Sequence, residues 1–162
     1  MGNISHAFGK VTISAPTFSD IEVLVATHRV INEKAWTPTT LNGSPSEADC
    51  ITTQEGFVSV TLPFTACGNW NIRENIDSFL TNILKQDSTL SDIPMSATFD
   101  YVDAESAVNF IYKATVLTRN VPGKGVTTEL LTDEDLGDYS ESYLKELEEV
   151  YDQELALGRL SI

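Results

Sequence analysis

The chain has 162 residues, of which 24 are acidic and ten are basic, so its net charge is −14 at pH 7. This length suits one domain, residues 1–162, and the charge argues against direct binding to nucleic acid or to an anionic membrane. No apolar stretch approaches the roughly 18 residues that a membrane-spanning helix needs, and the first residues lack the basic and apolar regions of a secretory signal.

The first half of the chain predicts a strand, a helix and a hairpin. Alternating apolar and β-branched residues predict a strand over residues 8–14. A helix over residues 19–34 begins at a serine that is suited to cap it, and most of its apolar residues share one face. A polar loop over residues 37–48 then leads to a hairpin with strands over residues 50–53 and 57–63.

The second half predicts a helix followed by strands. Residues 71–86 open with the asparagine and glutamate spacing of a capping box and place their apolar side chains on one helical face. Strands are predicted over residues 96–102 and 108–118, with a turn between them, and a shorter one over residues 126–130.

This order of elements is the ferredoxin-like βαββαβ pattern, extended by one or two strands. We therefore predict an α+β fold in residues 1–130, in which an antiparallel sheet carries both helices on one face. The other face is left for the additional strands or for a partner. Because such folds host many functions, function has to be inferred from particular residues.

The carboxy-terminal segment, residues 131–162, concentrates the negative charge. Eleven acidic residues and one basic residue, Lys145, lie between Glu129 and Glu154. The pattern predicts an acidic loop, then a helix capped by Ser140 that packs on the core through one apolar side. That side contains Tyr143, Leu144, Leu147, Val150, Tyr151, Leu155 and Leu157. The other side is acidic, and pairing of Lys145 with Glu141 and Glu149 is expected to neutralise part of it.

The loop and the helix predict a row of carboxylates about 5–6 Å apart, which is comparable with the phosphate repeat of a nucleic-acid strand. The favoured hypothesis is a small cytoplasmic inhibitor that mimics DNA towards a basic, nucleic-acid-binding protein, as phage inhibitors of restriction or CRISPR nucleases do. A merely solvated helix face is the alternative. The candidate partner-binding residues are Asp133, Glu134, Asp135, Asp138, Glu141, Glu148, Glu149 and Asp152.

A different reading concerns Cys67 and Arg73, whose C-x5-R spacing between a predicted strand and helix resembles that of protein tyrosine phosphatases. The resemblance implies a reactive thiol and an arginine that holds a phosphate. The chain departs from that family at Trp70 and Ile72, where small residues are needed, and at Glu74, which replaces a serine or threonine. We therefore predict a protein that is not an enzyme and keep the phosphatase as an alternative. A third possibility is an assembly subunit that forms a homo-oligomer through the uncovered sheet face.

Neither a metal nor a cofactor is predicted. The potential soft ligands His6, His28, Cys50 and Cys67 do not occur in pairs at ligand spacing. Two cysteines are also too few for a disulfide framework, so reduced thiols and a cytoplasmic location are expected.

Overall fold

The computed structural model describes residues 5–34, 39–53, 55–68 and 72–160. In this part of the chain, one antiparallel sheet of seven strands is combined with four helices, which confirms the predicted α+β class. The elements are β1 (Ser5–Ala15), α1 (Phe18–Lys34), β2 (Thr39–Leu41), β3 (Ile51–Thr52), β4 (Val58–Gly68), α2 (Ile72–Asp77), α3 (Phe79–Gln86), β5 (Met95–Glu105), β6 (Phe110–Val121), β7 (Gly125–Gly137) and α4 (Glu141–Leu160).

The strands lie in the order β2-β4-β1-β5-β6-β7, and β3 pairs with Val58 and Ser59 at the start of β4. Strand β1 is central, because it pairs along its whole length with β4 and along most of it with β5. Among the described residues, the long strand β7 pairs only with β6, and it forms one edge of the sheet. The narrower classification as a ferredoxin-like order remains a prediction.

The first face of the sheet forms the main core with α1, α2 and α3. Successive side chains of a strand point to opposite faces of the sheet. In β1, the odd-numbered residues Val11 and Ile13 point to the first face and are fully buried there. Phe99 of β5 packs edge-on between Phe64 of β4 and Phe79 of α3, with ring centroids 5.2 and 5.1 Å apart. Each such buried ring stabilises the fold by roughly 1.5–3 kcal/mol.

Helix α4 packs on the opposite, second face of the sheet. The sequence alone does not indicate which of the two faces this helix covers. Its Tyr151 contacts Phe8 edge-on at 6.0 Å and donates a hydrogen bond to Asp100. Leu144 is buried in the same small cluster. Val150 was expected on this apolar side but is 49% exposed, because it lies about 100° around the helix from Tyr151.

Several boundaries differ from the predicted ones. The single helix predicted over residues 71–86 is two helices, because Ser78 interrupts it and donates its hydroxyl to the carbonyls of Glu74 and Asn75. Its expected capping residue, Asn71, lies outside the described residues. Strand β5 continues through the predicted turn to Glu105. None of the helices in the described ranges is both long and apolar enough to cross a membrane.

Candidate functional site

The eight candidate carboxylates are all exposed, but they do not lie on one loop and one helix face as predicted. Asp133, Glu134 and Asp135 belong to strand β7, so the predicted acidic loop is wrong for these three residues. Asp138 lies in the connection between β7 and α4. The remaining four, Glu141, Glu148, Glu149 and Asp152, lie on α4.

The acidic part of β7 is a strand because β6 offers it a hydrogen-bonding partner. Glu134 lies opposite Lys113, and Tyr112 donates its hydroxyl to Asp133 over 3.0 Å. Asp and Glu have low intrinsic strand propensity, but cross-strand pairing overrides such a preference. Two register shifts interrupt the ladder, one of them beside Leu130. The strand therefore presents its carboxylates along the edge of a sheet.

None of these eight residues forms an ion pair with another residue in the described part of the chain. The predicted pairs of Lys145 with Glu141 and Glu149 do not form there. Ion pairs join other residues instead, namely Lys10 with Glu154, Arg73 with Asp77 and Arg119 with Glu129. Asp133 and Asp135 accept hydrogen bonds from neutral donors only, Tyr112 and the backbone of Gly137. The carboxylates therefore keep their charge available for a partner.

A groove of about 260 Å³ runs between α4 and the strands β1 and β4, and we call it the α4 groove. Its apolar lining includes Phe8, Pro63, Tyr151 and Leu155, and its uncharged polar lining includes Asn42 and Thr65. His6 and two of the eight candidate carboxylates, Glu148 and Asp152, complete it. The two carboxylates are four residues apart on α4, so their Cβ atoms are about 5–6 Å apart.

Sequence reasoning identified Glu148 and Asp152 but missed the rest of the groove. His6, Asn42 and Thr65 lie on three different segments, and only the docking of α4 on the second face brings them beside the helix. No local spacing in the sequence signals such an arrangement.

Cys67 and Arg73 are not arranged as a phosphate site. Cys67 is exposed at the end of β4 and follows the inward-pointing Ala66, so its thiol belongs to the second face of the sheet. Arg73 lies in α2 on the first face, and its Nε donates to Asp77 over 2.7 Å. The described residues therefore do not bring together the thiol and the arginine that the phosphatase alternative requires.

Two polar side chains on the first face near Arg73, those of Asp103 and Tyr101, were not predicted to be of interest from the sequence. Burial, and then the charge of Glu105, raises the pKa of Asp103 to about 7, and its Oδ1 has no hydrogen-bond partner among the described residues. Burial also raises the pKa of the neighbouring Tyr101. The strand pattern contains the signal, since Asp103 follows Phe99 and Tyr101 at the inward-pointing positions of β5.

No metal site is formed by the described residues, among which no group of three His, Cys, Asp or Glu side chains is placed to hold an ion.

Comparison with known proteins gives little further information. No protein-family model and no curated protein matches the chain. Two solved structures of aldoxime dehydratase, one of them in complex with butyraldoxime, are similar at 13% and 11% identity, each with a TM-score of 0.31. They match 85% and 96% of this chain, which spans only 37% and 40% of theirs. A likeness this weak carries no argument about function.

Proposed function

We propose that this protein is a small acidic binding protein that inhibits a basic, nucleic-acid-binding protein by occupying the surface on which that protein holds phosphates. The observation that carries the proposal is the set of eight exposed carboxylates on β7, α4 and their connection. None of these forms an ion pair with another described residue.

The negative charge of this surface determines which type of partner it attracts. Exposed carboxylates attract lysine and arginine side chains and repel phosphates, so a partner that binds DNA or RNA is complementary where nucleic acid itself is not. Inhibition is competitive, since the same basic side chains contact either phosphates or carboxylates. We place the interaction in the cytoplasm, where the free thiols of Cys50 and Cys67 stay reduced.

The experiment is capture of proteins from the native host on the immobilised chain, at about 0.1 M and about 0.5 M salt. We expect to capture basic nucleic-acid-binding proteins, and we expect both the higher salt and added duplex DNA to release them. Each captured protein is then purified and its binding is measured directly. Recovery of the same proteins when DNA is in excess would contradict the proposal, because a competitor for the phosphate-binding surface must be displaced.

A matched set of variants tests the surface itself. Glu148→Gln combined with Asp152→Asn removes two charges from α4, and Glu22→Gln combined with Glu33→Gln removes two exposed charges from α1. The α4 variant is expected to bind the partner more weakly than the α1 control. Equal affinity of wild type and both variants would exclude Glu148 and Asp152 as contact residues.

A further inference from the structure

We propose that the α4 groove is the docking site for an arginine side chain of the basic partner. This inference rests on the proposed function and specifies the chemical group that the partner inserts. A groove between a helix and a sheet becomes a specific site when its shape and its charge fit the same group, and both fit arginine here.

The shape of the groove suits a long side chain with an apolar stem and a polar end. The half-buried side chains of Pro63 and Leu155 offer apolar surface to the three methylene groups of an arginine. The volume of about 260 Å³ is sufficient for one long side chain.

The charge of the groove suits a cation. Glu148 and Asp152 line it, and neither forms an ion pair or a hydrogen bond with any residue in the described ranges. Lys10, on the same face of β1, is already bound to Glu154 at 2.8 Å. The two carboxylates therefore line the groove without an ion-pair partner among the described residues, and a guanidinium placed between them relieves their mutual repulsion.

Arginine fits better than lysine because it makes several directed hydrogen bonds at once. The guanidinium carries five N–H donors in a planar fork, whereas lysine is a compact, strongly hydrated charge. Asn42 donates its side-chain amide to Thr65 over 3.4 Å, which leaves the amide oxygen as a neutral acceptor in the same groove as the two carboxylates. Acceptors spread over a helix and the segment after β2 match a fork rather than a point charge.

The groove is present before any partner binds. The hydrogen bond from Tyr151 to Asp100 and the ion pair between Lys10 and Glu154 hold α4 against the sheet. A site that is already formed loses little conformational entropy on binding.

The test uses two labelled nine-residue peptides as probes, one of arginine and one of lysine, with the intact protein at low salt. Three variants, each of which lacks two negative charges, are compared. The groove variant is Glu148→Gln with Asp152→Asn. The second variant is Glu134→Gln in β7 with Asp138→Asn in the connection after it, and the control is Glu22→Gln with Glu33→Gln. All six side chains are exposed, and circular dichroism confirms that each variant is folded.

The groove variant is expected to bind the arginine peptide about tenfold more weakly than the other two variants do. Wild type should also prefer the arginine peptide to the lysine peptide, and that preference should vanish in the groove variant. Amide resonances of residues that line the α4 groove should shift on addition of the arginine peptide.

Two outcomes overturn the inference. An equal loss of affinity for the arginine peptide in all three variants would show that only net charge matters. Equal affinity of the wild type for the arginine and lysine peptides would exclude the directed hydrogen bonds. Neither result contradicts the proposed function if DNA still displaces the captured partner from the protein. Conversely, a groove-specific loss with no basic partner in the capture experiment would contradict the proposed function alone.

Discussion

Tyr151 of α4 donates its hydroxyl to Asp100 of β5 over 2.9 Å, across 51 residues of sequence. This bond joins the acidic helix to the strand beside the centre of the sheet, and the ring of the same tyrosine packs against Phe8. Burial, and then the charge of Asp100, raises the pKa of Tyr151, so the phenol remains a donor at physiological pH. This contact helps to hold α4, which forms one wall of the α4 groove, against the sheet.

Replacing Tyr151 by phenylalanine tests how much this hydrogen bond contributes to stability. The ring still packs on Phe8, but the hydrogen bond is lost, and the free energy of unfolding should fall by about 1 kcal/mol. Urea denaturation at pH 7 measures the change. Tyr143→Phe serves as the control, because no hydrogen bond from its hydroxyl exists in the described structure, and it should have little effect. A loss of the same size in both variants would contradict the role assigned to Tyr151.

Gly9 of β1 is expected to tolerate no side chain. A Cβ atom at this position would collide with the carbonyl oxygen of Asp100 and would lie 2.7 Å from the Cα atom of Tyr101, and both are backbone atoms. Gly9→Ala should therefore destabilise the protein by on the order of 3 kcal/mol, as measured by thermal unfolding. The control is Ser14→Ala in the same strand, for which a change within about 0.5 kcal/mol is expected.

The stability of the protein should fall in mild acid because of His28. Burial, and then the charge of Arg29, lowers the pKa of this histidine from 6.5 to about 4. The unfolded chain therefore takes up the proton at a higher pH than the folded chain does. Stability is full above pH 6.5 and is lost as the pH falls from 6.5 to 4, by on the order of 3 kcal/mol.

The corresponding measurement is the difference in unfolding free energy between wild type and His28→Leu at several pH values. His28 is 5% exposed and packs beside Phe79, so leucine is accommodated at modest cost. The difference should move in favour of the variant as the pH falls through this range. A difference that is constant from pH 7 to pH 4 would show that His28 does not titrate in this way.

Asp103 should have the opposite pH dependence. Since its pKa is raised from 3.8 to about 7, the folded chain holds this proton at a higher pH than the unfolded chain does. The contribution of Asp103 to stability is full below pH 3.8 and is lost as the pH rises through 7. Asp103→Asn should therefore raise the melting temperature at pH 8 and have little effect near pH 4. The exposed residue Asp92, changed to asparagine, is the control and should show no such trend.

The carboxylates of β7 should also protect the edge of the sheet from self-association. This strand exposes 38% of Leu130 and 46% of Leu131, and an unprotected edge strand of this kind pairs readily with other chains. Neutralising Asp133, Glu134 and Asp135 to their amides should raise the apparent mass in light scattering at high concentration. The α1 variant with Glu22→Gln and Glu33→Gln should stay at the wild-type mass, and association of both variants would assign the effect to net charge alone.

Local sequence patterns predicted most of the elements because their periodicity is set by short-range geometry. The alternation in residues 8–14 and 96–102 identifies β1 and β5, and the helical periodicity of residues 19–34 identifies α1. The patterns failed where pairing with a neighbouring strand decides the conformation. The acidic residues of β7 are strand residues only because Lys113, Tyr112 and their neighbours in β6 lie opposite them.

The sequence by itself determined the α+β class and the concentration of negative charge near the carboxy terminus, because strand and helix periods and net charge are properties of neighbouring residues. Only the tertiary structure decided which face α4 covers, and with it the α4 groove and the position of Glu148 and Asp152 beside Asn42. It also decided that the inward-pointing carboxyl of Asp103 is partly removed from water. The physical reason is the same in each case: packing brings together segments that are far apart in the chain, and no local pattern encodes which segments will meet.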